Sequence, residues 1–385
     1  MTVCQDVTYV GVNDHQIDLF EGQFAVPHGM SYNSYLIQDE KVCVMDSVDE
    51  HFGGEWLLNI QNELGDRQPD YLLVQHMEMD HSANIIKFAE NYPEAKIVAS
   101  KMAFTMMKNM FGSDFADRQI VVTEGSTLEL GKHTLKFITA PNVHWPEVIM
   151  TYDVQDKILF SADAFGKFGA LDYEDPQGWE EEARPYYFGI VGKFGAPVQA
   201  LLKKAAALEI NCICPLHGPV LKENISHYVN LYNTWSSYDA ESDGVLIAYT
   251  SVYGHTKSAA LRLAEILKDK GCKNVALADL ARDDFYRAVS DAFRYSKLVL
   301  ASTTYNGGVF PAMRKFILSL TDRNFQKRKV AFIENSSWAP AAAKTMASLL
   351  ESCSELNYCE TKVSVKISLK DSDEEALAKL ADELL

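Results

Sequence analysis

The sequence of 385 residues has few cysteines, and they do not form a metal or disulfide pattern. The seven are scattered without a C-x-x-C pair, which argues against a Cys₄ metal knuckle, an iron–sulfur module or a disulfide framework. Cys212 and Cys214 lie two apart in NCICPLHG. On a strand both sulfurs point to one face, and this spacing predicts core packing.

Positive charge and long apolar runs are also scarce. The formal net charge is −17, which argues against a nucleic-acid partner and against an anionic membrane surface. No run reaches the roughly 18 apolar residues of a membrane span, and the first residues lack the basic start and apolar stretch of a signal peptide. The cytoplasm is therefore the expected location. No G-x-G-x-x-G follows a strand-like run, so a Rossmann-type nicotinamide site is not supported.

The chain changes character at a polar stretch from Ser236 to Gly244. We interpret this stretch as a linker and predict two domains, residues 1–243 and 244–385. In the first half, strand-like runs such as YLLVQH, HTLKFITA and KILFSAD come partly back to back and partly alternate with helical stretches such as EWLLNIQNEL. This mixture predicts two sheets flanked by helices.

The second half alternates strictly between strands and helices. Strand-like runs GVLIAYT, NVALADL, KLVLAS, KVAFIEN and TKVSVKI are each followed by a helical stretch, including 255–270, 285–293, 310–320 and 339–353 and the last one from Ser372. Five βα units predict a doubly wound, five-stranded parallel sheet.

The densest cluster of metal-ligand residue types lies in LLVQHMEMDHSAN. His76, Glu78, Asp80 and His81 directly follow an apolar strand, and three further residues of ligand type follow later strands. Such strand ends lie at the rim of a sheet, where loops build sites. Together the seven give two sets of three ligands and one carboxylate left to bridge: His76, Glu78, Asp80, His81, His144, Asp163 and His217. His15, His51, His133 and His227 lack this context and are interpreted as ordinary structural or surface histidines.

This half resembles the metallo-β-lactamase superfamily, whose H-x-H-x-D-H segment holds two zinc ions. Glu78 stands where the second His is expected, and this change is typical of the flavodiiron branch. A carboxylate in place of an imidazole makes the site harder and more anionic, which favours iron over zinc. The resemblance implies a first domain with an αββα sandwich fold. It implies that His76, Glu78 and His144 bind one iron, that Asp80, His81 and His217 bind the other, and that Asp163 bridges them together with an oxo or hydroxo group.

Two further segments resemble parts of the family's pocket. His28 lies in AVPHGMSYNSYLI, and Tyr186 and Tyr187 lie in RPYYFGI. His28 and one of the two tyrosines, with Tyr187 favoured, are expected beside the metals as hydrogen-bonding or proton-donating groups.

The second half resembles short-chain flavodoxins through three loops at strand ends. In the first, hydroxyl and backbone N–H groups at a helix N-terminus favour a phosphate. In the second, two glycines allow the backbone to approach a planar ring, and in the third Trp338 is placed to stack on it. The resemblance implies FMN bound by Ser251, Tyr253, Gly254, His255, Thr256, Thr303, Thr304, Tyr305, Asn306, Gly307, Gly308, Ser336, Ser337 and Trp338.

Together the two resemblances imply an oxidoreductase that passes electrons through FMN to a diiron site and reduces O₂ to water, NO to N₂O, or both. They also imply a head-to-tail homodimer or a dimer of dimers, and rubredoxin or a similar small carrier as electron donor, with a deazaflavin as the less favoured donor. Two alternatives from other classes stay open, a dinuclear zinc hydrolase fused to a flavodoxin-like domain and an electron-carrying or sensory protein with a vestigial metal site. Glu78 counts against the first, and the full set of seven ligands counts against the second.

Overall fold

The computed structural model describes residues 2–173, 176 and 178–385. These residues form two units, 1–233 and 234–385. The predicted division between residues 243 and 244 stays a prediction. In the described residues, no helix combines the length and apolarity needed to cross a membrane.

The first unit is built mainly from short strands. In chain order they are β1 (Thr2–Cys4), β2 (Val7–Tyr9), β3 (Val12–Asp14), β4 (Leu19–Phe20), β5 (Phe24–Ala25), β6 (Met30–Tyr32), β7 (Tyr35–Gln38), β8 (Val42–Met45), β9 (Tyr71–Leu73), β10 (Lys96–Ser100), β11 (Gln119–Val122), β12 (Thr127–Glu129), β13 (Thr134–Thr139), β14 (Ile149–Asp153), β15 (Ile158–Phe160) and β16 (Cys212–Cys214).

Helices connect these strands. They are α1 (Gly53–Leu64), α2 (Met79–Ser82), α3 (Ile85–Asn91), α4 (Lys101–Phe111), α5 (Trp179–Tyr186), α6 (Gly195–Ala205) and α7 (Ile225–Ser236), with a π-helical turn over Tyr187–Val191. Helix α4 shows why such a segment begins and ends where it does. The Ser100 hydroxyl accepts a hydrogen bond from the Ala103 N–H, and Gly112 closes the helix in the left-handed conformation.

The strands form two larger sheets and two small ribbons. One sheet has the order β1-β2-β7-β8-β9-β10-β11, the other has the order β12-β13-β14-β15-β16, and β3 with β6 and β4 with β5 form the ribbons. Apolar side chains of both larger sheets share one buried cluster, so they pack face to face as predicted. Cys212 and Cys214 lie in this cluster with their sulfurs 3.8 Å apart, which confirms the prediction of core packing.

Strand direction decides which loops meet. β14 is antiparallel to both β13 and β15, and β16 is parallel to β15. β13, β15 and β16 therefore point the same way, and the loops that follow them emerge at one edge of the sheet. These loops contain His144, Asp163 and His217.

The second unit contains strands β17 (Ser242–Tyr249), β18 (Val275–Asp279), β19 (Tyr295–Tyr305), β20 (Gly308–Val309), β21 (Lys329–Ser336), β22 (Asn357–Tyr358) and β23 (Val363–Lys366). Its helices are α8 (His255–Asp269), α9 (Phe285–Arg294), α10 (Pro311–Thr321), α11 (Ala342–Leu349) and α12 (Glu374–Leu384).

The main strands of this unit are parallel in the order β18-β17-β19-β21, and β22 and β23 share the position beside β21. The five-stranded doubly wound sheet is thus confirmed, with its last strand split in two. Helix α11 is shorter than predicted. Pro340 disfavours helical backbone at the residue before it, and the Thr304 hydroxyl accepts the backbone N–H groups of Ala341 and Ala342 at the helix start.

His133 ties the first unit together at a distance from the ligand-type residues. Its ring is buried and bonds to Asp153 through Nδ1 at 2.9 Å and to Asp6 through Nε2 at 3.4 Å. Its backbone N–H donates to Asp39 at 2.7 Å. The bond to Asp153 is the largest cause that raises the pKa of His133 above its ordinary value.

A group whose folded-state pKa is raised contributes stability that is fully present below its unfolded pKa, and loses it as the pH rises through the folded pKa. We therefore expect His133→Gln to lower the free energy of unfolding by about 1–3 kcal/mol at pH 6, and by less as the pH rises. Urea titrations of both proteins between pH 6 and 9 measure this difference. His227→Gln, at a partly exposed histidine, is the control, and a pH-independent difference for His133→Gln would contradict the account.

Candidate metal and flavin sites

The structure brings the seven predicted ligand residues together as two adjoining sets. Their side-chain ligand atoms form one group from His76, Glu78, His144 and Asp163 and another from Asp80, His81 and His217. His76 and Glu78 lie in the loop after β9, Asp80 and His81 lie on α2, and the other three follow β13, β15 and β16.

Within the first set the ligand atoms are spaced as they would be around one ion. His144 Nε2 lies 3.0 Å from Glu78 Oε2, and His76 Nε2 lies 3.3 Å from the same oxygen. Asp163 Oδ2 is 3.1 Å from His76 Nε2 and 3.2 Å from His144 Nε2. Ligand–ligand distances of about 3.0–3.4 Å are what metal–ligand distances of about 2.0–2.2 Å produce.

The second set has the same spacing. His81 Nε2 lies 3.0 Å from His217 Nε2, and each nitrogen lies 3.2 Å from Asp80 Oδ2. The other carboxylate oxygen of Asp163, Oδ1, is 3.4 Å from His81 Nε2 and 3.6 Å from His217 Nε2. The two oxygens of Asp163 therefore face different sets, which is the placement required of a bridging carboxylate.

Two of the imidazoles are fixed by bonds on their far side. His217 Nδ1 lies 2.7 Å from the Ser31 carbonyl oxygen, and His76 Nδ1 lies 2.8 Å from Glu147 Oε1. Both partners are acceptors, so each Nδ1 carries the proton and each Nε2 of a neutral ring presents a lone pair to the cluster. The Nε2 atoms of His76 and His217 lie 3.0–3.3 Å from other nitrogens or carboxylate oxygens. Lone pairs that face one another at this distance need a cation between them. This donor set therefore fits bound metal ions.

The pKa values of the clustered side chains are set by their close contacts with one another. Burial alone would lower the pKa of His81 and of His144, but neighbouring carboxylates outweigh it and raise these values to about 10 and about 9. Burial alone would raise the pKa of Asp163, yet the charge of His76 and hydrogen bonds from the surrounding histidines hold it well below its ordinary value. Without metal, protons on the imidazoles balance the buried carboxylates.

Glu147 and Asp46 position the first of these loops, and neither was identified from the sequence. Besides bonding His76, Glu147 Oε1 accepts the Met77 N–H at 2.9 Å. Asp46, which is fully buried and has φ 54°, accepts the backbone N–H of Gln75 at 2.7 Å and its side-chain amide at 3.0 Å. Glu147 lies three residues after His144 in the same loop, and that proximity was the available signal.

The predicted pocket residues occupy different places. The Tyr186 ring packs 5.6 Å from the His217 ring, whereas the Tyr187 ring contacts Phe188 and Tyr232. The ring of His28 stacks on Tyr173, with centroids 3.7 Å apart. Tyr186 is thus the tyrosine of this pair that the structure places beside the ligand cluster.

The hairpin of β4 and β5 supplies two further neighbours that the sequence analysis missed. The Phe20 ring lies 5.4 Å from the His217 ring. Glu21 is the next residue, in the turn between β4 and β5, and partial loss of solvent around its carboxylate, together with the negative charge of Glu78, raises its pKa. An ordinary Phe-Glu-Gly turn gives no sequence signal for this placement.

In the second unit, the three predicted loops meet at the carboxyl ends of β17, β19 and β21. They line a cavity of about 310 Å³ together with Val252, Asn335 and Ile367, which the prediction did not include. An adjoining cavity of about 370 Å³ is lined by the second and third loops, including Asn306 and Gly307. Of the predicted FMN residues, Gly254 and Gly308 are not part of either lining.

Local bonds hold these loops in place. Ser251 Oγ accepts the Gly254 N–H at 3.1 Å, and Gly254 has φ 91° before α8 begins. Asn306 and Gly307 have φ 49° and 73° in the tight turn between β19 and β20, where Asn-Gly is the favoured pair. The Trp338 side chain is 89% exposed, so the face of its ring is available for stacking.

Comparisons with known proteins match both units. Residues 30–218 match the family described as ODP family beta lactamase, and residues 246–365 match the flavodoxin domain. The anaerobic nitric oxide reductase flavorubredoxin of Escherichia coli O1:K1 is 26% identical over 361 residues, which are 91% of this chain and 75% of that protein.

Two solved structures match along almost their whole length. Rubredoxin oxygen:oxidoreductase from Desulfovibrio gigas superimposes with a TM-score of 0.92 at 26% identity, covering 100% of this chain and 97% of that one. The flavodiiron protein from Giardia intestinalis gives a TM-score of 0.91 at 26% identity, covering 99% and 96% of the two chains.

The bond between Glu147 and His76 generates a test of the metal site. Loss of a partner that orients a ligating histidine costs about 10–100-fold in metal affinity, so Glu147→Gln should lose iron to a competing chelator at a correspondingly lower chelator concentration. Iron per chain after chelator titration measures this. Glu94→Gln, at an exposed carboxylate, should behave as the unaltered protein, and equal iron retention in all three proteins would contradict the role of Glu147.

Proposed function

Because this chain belongs to the flavodiiron protein family, we propose that it is a reductase of O₂, NO or both, with two irons held by the seven clustered side chains and FMN held by the loops of the second unit. The observation that carries the proposal is the placement of Asp163, whose two carboxylate oxygens face two complete sets of ligands.

When bound, the two irons supply redox chemistry at neighbouring metals and FMN supplies a relay for electrons. In the proposal, His76, Glu78 and His144 would hold one iron, Asp80, His81 and His217 would hold the other, and Asp163 would serve both. Glu147 and the Ser31 carbonyl keep two imidazoles oriented by accepting their Nδ1 protons. The Phe20 and Tyr186 rings pack against the His217 ring.

Glu78 is the residue that favours this function over hydrolysis by a dinuclear zinc site. It provides a carboxylate oxygen 3.0 Å from His144 Nε2 where a third imidazole would suit zinc. The first set thus contains two carboxylates and two imidazoles, a harder and more anionic donor set that favours iron.

The electron donor in this proposal is rubredoxin or a similar small carrier. The relatives named as a flavorubredoxin and as a rubredoxin oxygen:oxidoreductase support this choice. A head-to-tail dimer, in which the flavin of one subunit serves the metal site of the other, remains part of the proposal.

The function is tested by anaerobic reduction of the protein loaded with iron and FMN, followed by mixing with O₂ or with NO while flavin reoxidation is recorded. The unaltered protein should reoxidise with one gas or both. Asp163→Ala should abolish this turnover and retain FMN, because the bridge is lost and the flavin loops are untouched. Asp117→Ala, at an exposed carboxylate, is the control. Gas-dependent turnover by Asp163→Ala at the normal rate would overturn the bridging role, and no turnover by the iron-loaded protein would overturn the function.

Trp338 provides a separate test of the flavin site. Base–aromatic stacking contributes about 1–3 kcal/mol, and a similar contribution to flavin binding would make Trp338→Ala weaken FMN retention by about 5- to 150-fold. Trp338→Phe should restore most of it. Equilibrium dialysis and the flavin potential measure the effect, and an unchanged affinity and potential in Trp338→Ala would remove Trp338 from the site.

A further inference from the structure

Two thiols of the first unit lie in contact with each other, next to the loop that carries His217. The Sγ atoms of Cys212 and Cys214 are 3.8 Å apart, and both cysteines are free thiols. The two side chains point from β16 into the core between the larger sheets. Packing accounts for their burial, but two sulfurs in direct contact are also able to react with each other.

The spacing of the pair along the strand is compatible with a disulfide bond. Because a strand rises about 3.2–3.4 Å per residue, Cα atoms two positions apart are separated by about 6.4–6.8 Å. Disulfides span Cα distances of about 4.4–6.8 Å and have an S–S bond of about 2.05 Å. The pair therefore lies at the upper end of the permitted range, and closing the bond requires β16 to shorten.

The position of β16 in its sheet allows this movement. It is the last strand of the sheet and pairs with β15 on one side. On the other side Ile213, between the two thiols, exchanges one pair of backbone hydrogen bonds with Leu221, each of 2.9 Å. Cys212 keeps 6% of its surface exposed, whereas Cys214 is fully buried. A small oxidant from solvent therefore meets the Cys212 sulfur first.

The surroundings give the two sulfurs different roles. The S–H of Cys214 and the positive charge of Lys222 stabilise a thiolate at Cys212 and lower its pKa. Burial raises the pKa of Cys214, which stays protonated. Since the thiolate is the reactive form of cysteine, Cys212 is the nucleophile of the pair and Cys214 is the thiol that resolves the product.

The end of β16 is joined to two of the predicted metal ligands. His217 follows Cys214 by three residues, and Asp163 follows Ser161 by two. The Ser161 N–H donates to the Cys214 carbonyl at 3.1 Å, so the two loops that carry these ligands begin from bonded strand ends. A shortening of β16 therefore pulls on the loop of His217.

We infer that Cys212 and Cys214 form a redox-active dithiol, a site at which hydrogen peroxide introduces a disulfide bond that thiols remove again. In the oxidised form the shortened β16 draws His217 away from the other ligands of its set. The oxidation itself is independent of the proposed function, whereas its effect on bound iron rests on that function.

The reaction is balanced in two steps. The Cys212 thiolate attacks one oxygen of hydrogen peroxide; an S–O bond forms, the O–O bond breaks, and the leaving hydroxide takes up the proton that Cys212 released. The Cys214 sulfur then attacks the sulfenic sulfur of Cys212. The S–S bond forms, the S–O bond breaks, and the second hydroxide leaves with the Cys214 proton. Two thiols lose two electrons in total, and one peroxide becomes two waters.

Peptide mass analysis tests the dithiol directly. The protein loaded with iron and FMN is treated with equimolar hydrogen peroxide, quenched with catalase and alkylated with iodoacetamide. The peptide containing Cys212 and Cys214 should be unlabelled and two hydrogen atoms lighter, and dithiothreitol should restore both labels. Full labelling of both cysteines after peroxide treatment would overturn the inference, as would a peptide that has gained oxygen without forming the disulfide.

Variants identify the partner of Cys212. Cys214→Ser should leave Cys212 free of any disulfide, and Cys214→Ala provides a second variant if the first folds poorly. Cys4→Ser is the matched control, because it removes a third thiol that packs against the same core. It should form the disulfide as the unaltered protein does. Loss of the disulfide in Cys4→Ser would assign the bond to Cys4 and overturn the pair.

Iron retention tests the link to His217. After peroxide treatment the unaltered protein should lose iron at an about tenfold lower chelator concentration, the effect expected when a ligating histidine loses its orientation. Peroxide should not change iron retention in Cys214→Ser. Equal retention by the oxidised and reduced forms would overturn the link. If the disulfide forms but the protein binds no iron in either form, the proposed function fails and the dithiol stands.

Discussion

The first unit depends on one electrostatic constraint. It gathers three carboxylates and four imidazoles in a largely buried cluster, where neighbouring ligand atoms lie 3.0–3.6 Å apart. Such groups repel or take up protons unless cations lie between them. Asp163 is central because each of its oxygens faces a different set. Sheet direction makes this possible, since β13, β15 and β16 present their following loops at one edge.

In the second unit, the important feature is the set of loops at the carboxyl ends of the parallel strands. Its parallel strands gather loops rich in hydroxyl groups, glycine and exposed aromatic rings at one edge, where the proposal places the phosphate and the ring of FMN. Cofactor binding in the proposed reaction thereby depends on the loops that line these cavities.

Much of this architecture was predictable from the sequence, because strand ends and ligand-type residues coincide. The seven ligand-type residues, the two sheets flanked by helices and the parallel sheet were predicted from local patterns, and the sandwich packing of the two sheets was implied by the family resemblance. The supporting groups were not. Asp46, Glu147 and the Ser31 carbonyl act across long sequence separations, and Phe20 approaches His217 only after the chain folds. The choice between Tyr186 and Tyr187 likewise depended on the direction of each side chain, which the sequence of two adjacent tyrosines does not reveal.

The most direct measurement is a crystal structure of the purified protein with anomalous diffraction data on both sides of the iron and zinc absorption edges. The account predicts two anomalous peaks with the iron signature, about 3.5–4 Å apart, one beside His76, Glu78 and His144, the other beside Asp80, His81 and His217, with Asp163 between them. Two peaks with the zinc signature after iron has been supplied, or a single peak that Asp163 does not bridge, would contradict it.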